Sequence, residues 1–260
     1  MLALNLSLGQ LQAFMVIFFR VSAILFVAPV FDSRNIPILF KVGLAISVSL
    51  LLYPMVHLDT TTALTNVVSF AFWVGAEIAV GVVIGMSVKM FFTGIQLAGQ
   101  FAGFQMGLAI ANVMDPATSA QLPILAQFKN LFAVLIFLVT NAHHWFFRAL
   151  VESFTLVPPF QIQVHANLFA AVMAMAANIF IIAVKIGAPV MGAMLITSVA
   201  FGLLARTVPQ MNVFIVAMPV KIILGLIFLS ISLPYIAAFL GDRFAYLGRD
   251  IVHLMKLMGG

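Results

Sequence analysis

Arg20, Glu77, Lys185 and Lys221 stand well inside long apolar runs of this 260-residue sequence. On a membrane-insertion scale each such charge costs about 2.5 to 3.5 kcal/mol. Four left against lipid would therefore cost on the order of 10 to 14 kcal/mol, comparable to a whole domain's stability. Arg20 lies about ten residues from either end of its run, roughly 15 Å at helical rise, which is too far to snorkel. These groups must face protein or water. Glu77 with Lys185 or Lys221 is the internal pairing expected, since membrane charges usually pair with one another. One acid cannot neutralise three cations, however. The surplus implies carboxylates or carbonyls supplied by partner subunits, or segments lifted out of the hydrocarbon.

A second unusual group of residues occupies the middle of the chain, "GFQMGLAIANVMDPATSAQLP" at 103 to 123. Glycines at helical spacing give way to Asn112, Asp115 and Pro116, which favour turns, and Pro123 marks the next helix start. Irregular backbone at membrane depth is tolerated only where it is buried in protein or lines a water-filled cavity, so a loop over about 103–123 is expected in or beside a pore. Met106, Ile110, Val113 and Met114 are its apolar tip residues, and flexible thioethers suit a seal that opens and recloses. A surface loop outside the membrane is the competing reading.

Other chemistry finds little footing. His143, His144 and Glu152 fall within "NAHHWFFRALVESF", but adjacent histidines point to different sides of a helix and do not form the i, i+4 pair of a zinc hydrolase. With Trp145 they read as an interfacial belt. The chain has no cysteine, no serine-hydrolase elbow and no Walker loop. No catalytic, metal or cofactor site is expected.

The elements that position these residues follow from composition. Hydrophobic residues make up 64% of the chain and charged residues 7%, against about 25% charged in a soluble domain. Mean hydropathy is +1.22. An all-α, polytopic helical membrane protein forming a single domain over 1–260 is predicted, with broken helices and helical hairpins. The net charge of +5 is scattered, which reads as membrane topology and argues against nucleic acid as a partner. Apolar segments run near 10–31, 36–56, 67–92, 124–147, 168–205 and 211–240. The first two are joined by "FDSRNIP" and predict a hairpin with Pro37 at a helix start. The fifth is too long for one straight crossing and is expected to break or bend at "KIGAPVMG", around Gly187 and Pro189. Basic residues place the first loop and the C-terminus in the cytoplasm, a distribution that six crossings do not satisfy together with the 57–66 loop, which has no Lys or Arg. Small residues recur at four-residue intervals, Ala71, Gly75 and Ala79, then Gly81 and Gly85, then Gly99, Gly103 and Gly107. Such faces serve packing within the chain or against neighbouring subunits.

Four stretches, "RVSAILFVAPVFDSRNIP" (20–37), "GFQMGLAIANVMDP" (103–116), "FLVTNAHHWFF" (137–147) and "RTVPQMNVFIVAMP" (206–219), resemble in order the R-subunit family of the bacterial flagellar protein export gate. That family is shared with the equivalent component of virulence type III secretion systems. The resemblance implies a non-enzymatic subunit of the bacterial inner membrane and flagellar basal body. It implies a helical multi-subunit gate built with P and Q subunits, a B subunit nearby, and unfolded flagellar proteins as cargo. Export in that family is driven by the proton motive force. The family's plug carries over onto Gly103, Phe104, Gln105, Met106, Gly107, Ile110, Asn112, Val113, Met114, Asp115 and Pro116. Aromatic residues can occupy the plug tip in such proteins, whereas Ile110 and Val113 stand there in this sequence. A self-sufficient small-solute or ion transporter is the alternative, and it requires an inverted repeat and activity of the isolated chain.

Overall fold

Prolines set two of the helix starts. A computed structural model describes residues 8–29, 36–56, 67–108, 123–159, 162–163, 165–210 and 212–259. Within them lie α1 (Leu8–Val27), α2 (Ile38–Leu52), α3 (Val67–Gln105), α4 (Ile124–Val139), α5 (Ala142–Leu156), α6 (Ala166–Thr207) and α7 (Val213–Gly259). Pro37 and Pro123 precede α2 and α4 with extended backbone, ψ 139° and 134°. Their fixed φ suits a helix start, and the amide donor they lack would have no intrahelical partner there. Asn141, at φ 55° and ψ 24°, separates α4 from α5, and the pair is bent by 75°. Asparagine is among the few side chains that adopt this left-handed geometry readily.

The all-α, polytopic class is as expected, and every element among the described residues is helical. Among the described residues, four helices are long and apolar enough to cross a membrane, or five spans if the bent α4–α5 pair counts as one. The lengths differ from the sequence segments. α2 has 15 residues, roughly 22 Å, which is short of the roughly 30 Å hydrocarbon core. α3, α6 and α7 have 39, 42 and 47 residues, roughly 58, 63 and 70 Å at 1.5 Å per residue. Of the break or bend expected at Pro189, no break occurs: α6 runs through it, as α7 runs through Pro219 and Pro234. Proline removes its own donor and strains one turn, but a long apolar helix with no water to claim the freed carbonyl gains nothing by unwinding. The C-terminal tail, polar in composition, continues α7, and Met255 and Met258 are fully buried.

Contacts divide the chain into two units: residues 1–89, 141–175 and 245–260 form the first, and 90–140 and 176–244 the second. In unit 1, α1 and α3 meet through Gly81 and Gly85. A Cβ at Gly81 would lie 2.7 Å from both Ala23 Cβ and the Arg20 carbonyl, and one at Gly85 would lie 2.7 Å from Val27 Cβ. Lipid tails are as apolar as leucine, so close van der Waals packing of this kind, not exclusion from water, holds apolar helices together. The small-residue rows therefore have different uses. Gly81 and Gly85 pack within the chain, whereas Ala71, Gly75 and Ala79 face outward, and a Cβ at Gly75 would touch nothing. In unit 2, Phe91, Phe92, Phe137 and Phe244 form an aromatic knot with centroids 5.1 to 6.0 Å apart.

Gly81→Leu is expected to destabilise the detergent-solubilised protein by about 2 kcal/mol or more through overpacking against backbone. Gly75→Leu should stay within about 0.5 kcal/mol of wild type. A thermal-melt comparison of the two variants distinguishes the buried glycine row from the open one.

Candidate functional site

Arg20 is the most fully enclosed charged group among the described residues, at 0% exposure. From α1 its Nε donates to Glu77 Oε2 on α3 at 2.5 Å. Its Nη1 donates to the carbonyls of Ser153 at 2.7 Å and Val157 at 2.9 Å. Those carbonyls close α5, so the cation sits at a helix C-terminus, where the aligned peptide dipoles are negative. The guanidinium also lies 4.4 Å from the centre of the Phe154 ring, a further favourable contact for a desolvated cation. Three helices of unit 1 are thereby tied through one side chain. Nη2 alone lacks a partner among the described residues.

The pairing differs from the sequence expectation. Glu77 takes Arg20, 57 positions away, and neither Lys185 nor Lys221. The reason lies in packing: Gly81, one turn beyond Glu77, lets α1 approach until Arg20 and Glu77 share an enclosed site. Lys185 is exposed on α6, and Lys221 is half-buried on α7. A further cation was missed. Lys129 on α4 is 2% exposed, and among the described residues its Nζ reaches only the Ala98 carbonyl, at 3.5 Å. The signal was available, because Lys129 interrupts "ILAQFKNLFAVLIFLV" in its second turn.

The second feature is the frame in unit 2 from which the central segment departs and to which it returns. α3 and α4 touch at Gly99, where a Cβ would lie 2.5 Å from Ala126 Cα and 2.7 Å from the Leu125 carbonyl. Gln96 Nε2 donates to Asn130 Oδ1 across the same pair of helices at 3.0 Å. α3 then ends at a left-handed glycine, Gly107 with φ +83°. The amides of Gly107 and Leu108 donate back to the Phe104 and Gly103 carbonyls at 3.1 and 3.0 Å, closing the helix in the manner that a left-handed glycine permits.

Of the residues singled out in the central stretch, Gly103 is buried beside Leu125, Phe104 and Gln105 are exposed, and Met106 is fully buried. Met106 packs with Ala102, Leu125, Val190, Ala193 and Met194, against Gly225, where a Cβ would lie 2.5 Å from its Cε. Its side chain anchors the end of α3 in the core of unit 2. Ile110, Asn112, Val113, Met114, Asp115 and Pro116 lie outside the described residues.

Around the bend, the rings of His143 and His144 have centroids 4.2 Å apart with planes tilted by 52°, and Trp145 is 54% exposed. No three His, Cys, Asp or Glu side chains converge among the described residues.

Comparison with known proteins gives a family and close relatives. Residues 11–247 match the family described as bacterial export proteins, family 1. The chain is 32% identical over 259 residues to the flagellar biosynthetic protein FliR of Bacillus subtilis, covering 98% of this chain and 99% of that protein. It is 32% identical over 228 residues to FliR of Pectobacterium carotovorum, covering 88% and 87% of the two chains. With FliR of Escherichia coli the identity is 29% over 227 residues, covering 87% and 86%.

Removing one member of a buried pair strands the other, at a cost of about 3 to 5 kcal/mol, whereas replacing both by apolar groups is often neutral. Glu77→Leu alone is accordingly expected to lower the melting temperature sharply, and Arg20→Met combined with Glu77→Leu to recover most of the loss. Melting curves of wild type, each single variant and the double variant check this as a double-mutant cycle.

Proposed function

Because the chain belongs to family 1 of the bacterial export proteins, it is a component of an export apparatus, and we propose that it serves as a non-enzymatic core subunit of the flagellar type III export gate. In this reading it builds, with P and Q subunits and a B subunit nearby, the channel through which unfolded flagellar proteins cross the bacterial inner membrane at the basal body. Its central segment plugs that channel. The relatives' printed name, flagellar biosynthetic protein, supports the flagellar assignment.

The observation that carries the plug reading is the frame at the end of α3. Gly99 against Ala126, Gln96 with Asn130, and Met106 sunk into the core fix both helices that flank the segment. Between them runs a sequence rich in small, amide and turn residues, which cannot satisfy its backbone in lipid and is suited to an aqueous lumen. A segment whose two roots are held this firmly moves without loosening the subunit. One methionine and two β-branched residues at its tip, Met114, Ile110 and Val113, form a seal by contact alone, with no directional bonds to break when cargo enters. The length of α3, α6 and α7 supports a subunit that extends beyond the hydrocarbon layer.

Deletion of residues 110–116, which spares Met106 and Gly107, is expected to leave the subunit assembled while raising the ion permeability of the membrane at least tenfold. Conductance of planar bilayers holding the purified gate measures this, and unchanged conductance in an assembled complex contradicts the plug. Met106→Ala should act differently, costing about 2 to 5 kcal/mol of stability as a large-to-small core change.

A further inference from the structure

Unit 2 carries a lysine that no acid among the described residues neutralises. Lys221 lines a groove of about 530 Å³ whose walls include Phe104 and Gln105 at the end of α3 and Leu195, Ser198 and Val199 on α6. Phe104, Leu195 and Val199 are 63, 65 and 58% exposed, so Lys221 shares the groove with apolar side chains that have no cover. Within unit 2, Asp242 is the one acid among the described residues. It lies 21 positions further along α7, roughly 31 Å at helical rise. Glu77, the one acid in the apolar interior, belongs to unit 1 and is committed to Arg20. Ser198 spends its proton on the Met194 carbonyl at 2.7 Å, which leaves its oxygen free to accept. The groove thus presents two donors, Lys221 Nζ and the Gln105 amide, in an otherwise apolar setting.

We propose that this groove receives an apolar helix of another gate subunit bearing a single Asp or Glu, whose carboxylate accepts from Lys221 and Gln105. Charge complementarity selects an acid, because an ammonium among apolar groups needs a counter-charge at short range. The surroundings select a protein helix over a lipid headgroup. No Trp or Tyr lines the groove, whereas aromatic side chains mark the headgroup level. Lys221 also stands alone, unlike the basic clusters that hold anionic lipids. An occupant here covers the last turn of α3, next to the root of the central segment. The inference rests on the gate reading, which supplies the neighbouring subunits.

The test treats membranes holding the assembled gate with a carbodiimide, which joins an amine to a carboxylate only when the two are in contact. The expected product is a cross-link from Lys221 to an acid within an apolar segment of another subunit. Lys221→Glu is expected to lower the yield of assembled gate at least tenfold, and Lys221→Arg to preserve it. Acid-to-Lys exchange at the cross-linked position should restore assembly of the Lys221→Glu protein. Assembly of Lys221→Glu at wild-type yield overturns the proposal, as does a Lys221 that remains unmodified or couples to lipid or to a second copy of this chain. A wild-type chain that purifies alone under the same conditions overturns the gate reading instead.

Discussion

A charge or a backbone amide carried away from water has to be met by another polar group, and most of this molecule's particular features follow from that requirement. At Arg20 the requirement is met almost completely inside one unit: a carboxylate, two helix-terminal carbonyls and an aromatic face surround a guanidinium with no exposure. Such a site is weak evidence of net stability, because the gain roughly balances the desolvation of two ions. Its consequence is specificity. α1, α3 and α5 have one arrangement in which the ion is satisfied, and every slip of a turn leaves it bare.

The same requirement is met differently elsewhere. Lys129 has one long contact to a carbonyl, and Lys221 has apolar neighbours and an exposed amide. A chain that satisfies one cation almost completely and leaves another at an open groove fits the proposed assembly, in which neighbours complete it. The central segment repeats the argument for the backbone: with turn residues and Pro116 between two apolar helices, it needs protein or water around it, which a shared conduit supplies. The proposed gate joins these two needs in one assembly.

Class and composition were legible early. The apolar runs, the helix starts at Pro37 and Pro123 and the enclosure of Arg20 and Glu77 follow from residue types and helical rise alone. What did not follow was long-range pairing. Glu77 has three cations as formal candidates in the sequence. Arg20 wins because Gly81 and Gly85 bring α1 against α3, and a glycine row does not announce which neighbour it receives. The carbonyls of Ser153 and Val157, 133 and 137 positions from Arg20, carry no side-chain signature at all. Helix extent was only partly legible: α2 is shorter than its apolar run, while α6 fills its run and passes unbroken through Pro189. Hydropathy records where apolar side chains occur, and it is nearly silent on whether the backbone bonds on either side of a proline continue. Met106 shows the limit at the site. Its type suits a seal, but its burial against Gly225 makes it an anchor.

The most direct measurement exploits the absence of cysteine. Single cysteines at Ile110, Val113 and Met114 in the assembled gate can be reacted with a membrane-impermeant maleimide, with and without an export substrate stalled by a tightly folded fusion. The account requires labelling at these positions to slow at least tenfold when the stalled chain occupies the conduit. Labelling at the same rate with the conduit empty or filled would place the central segment away from the path of export and contradict it.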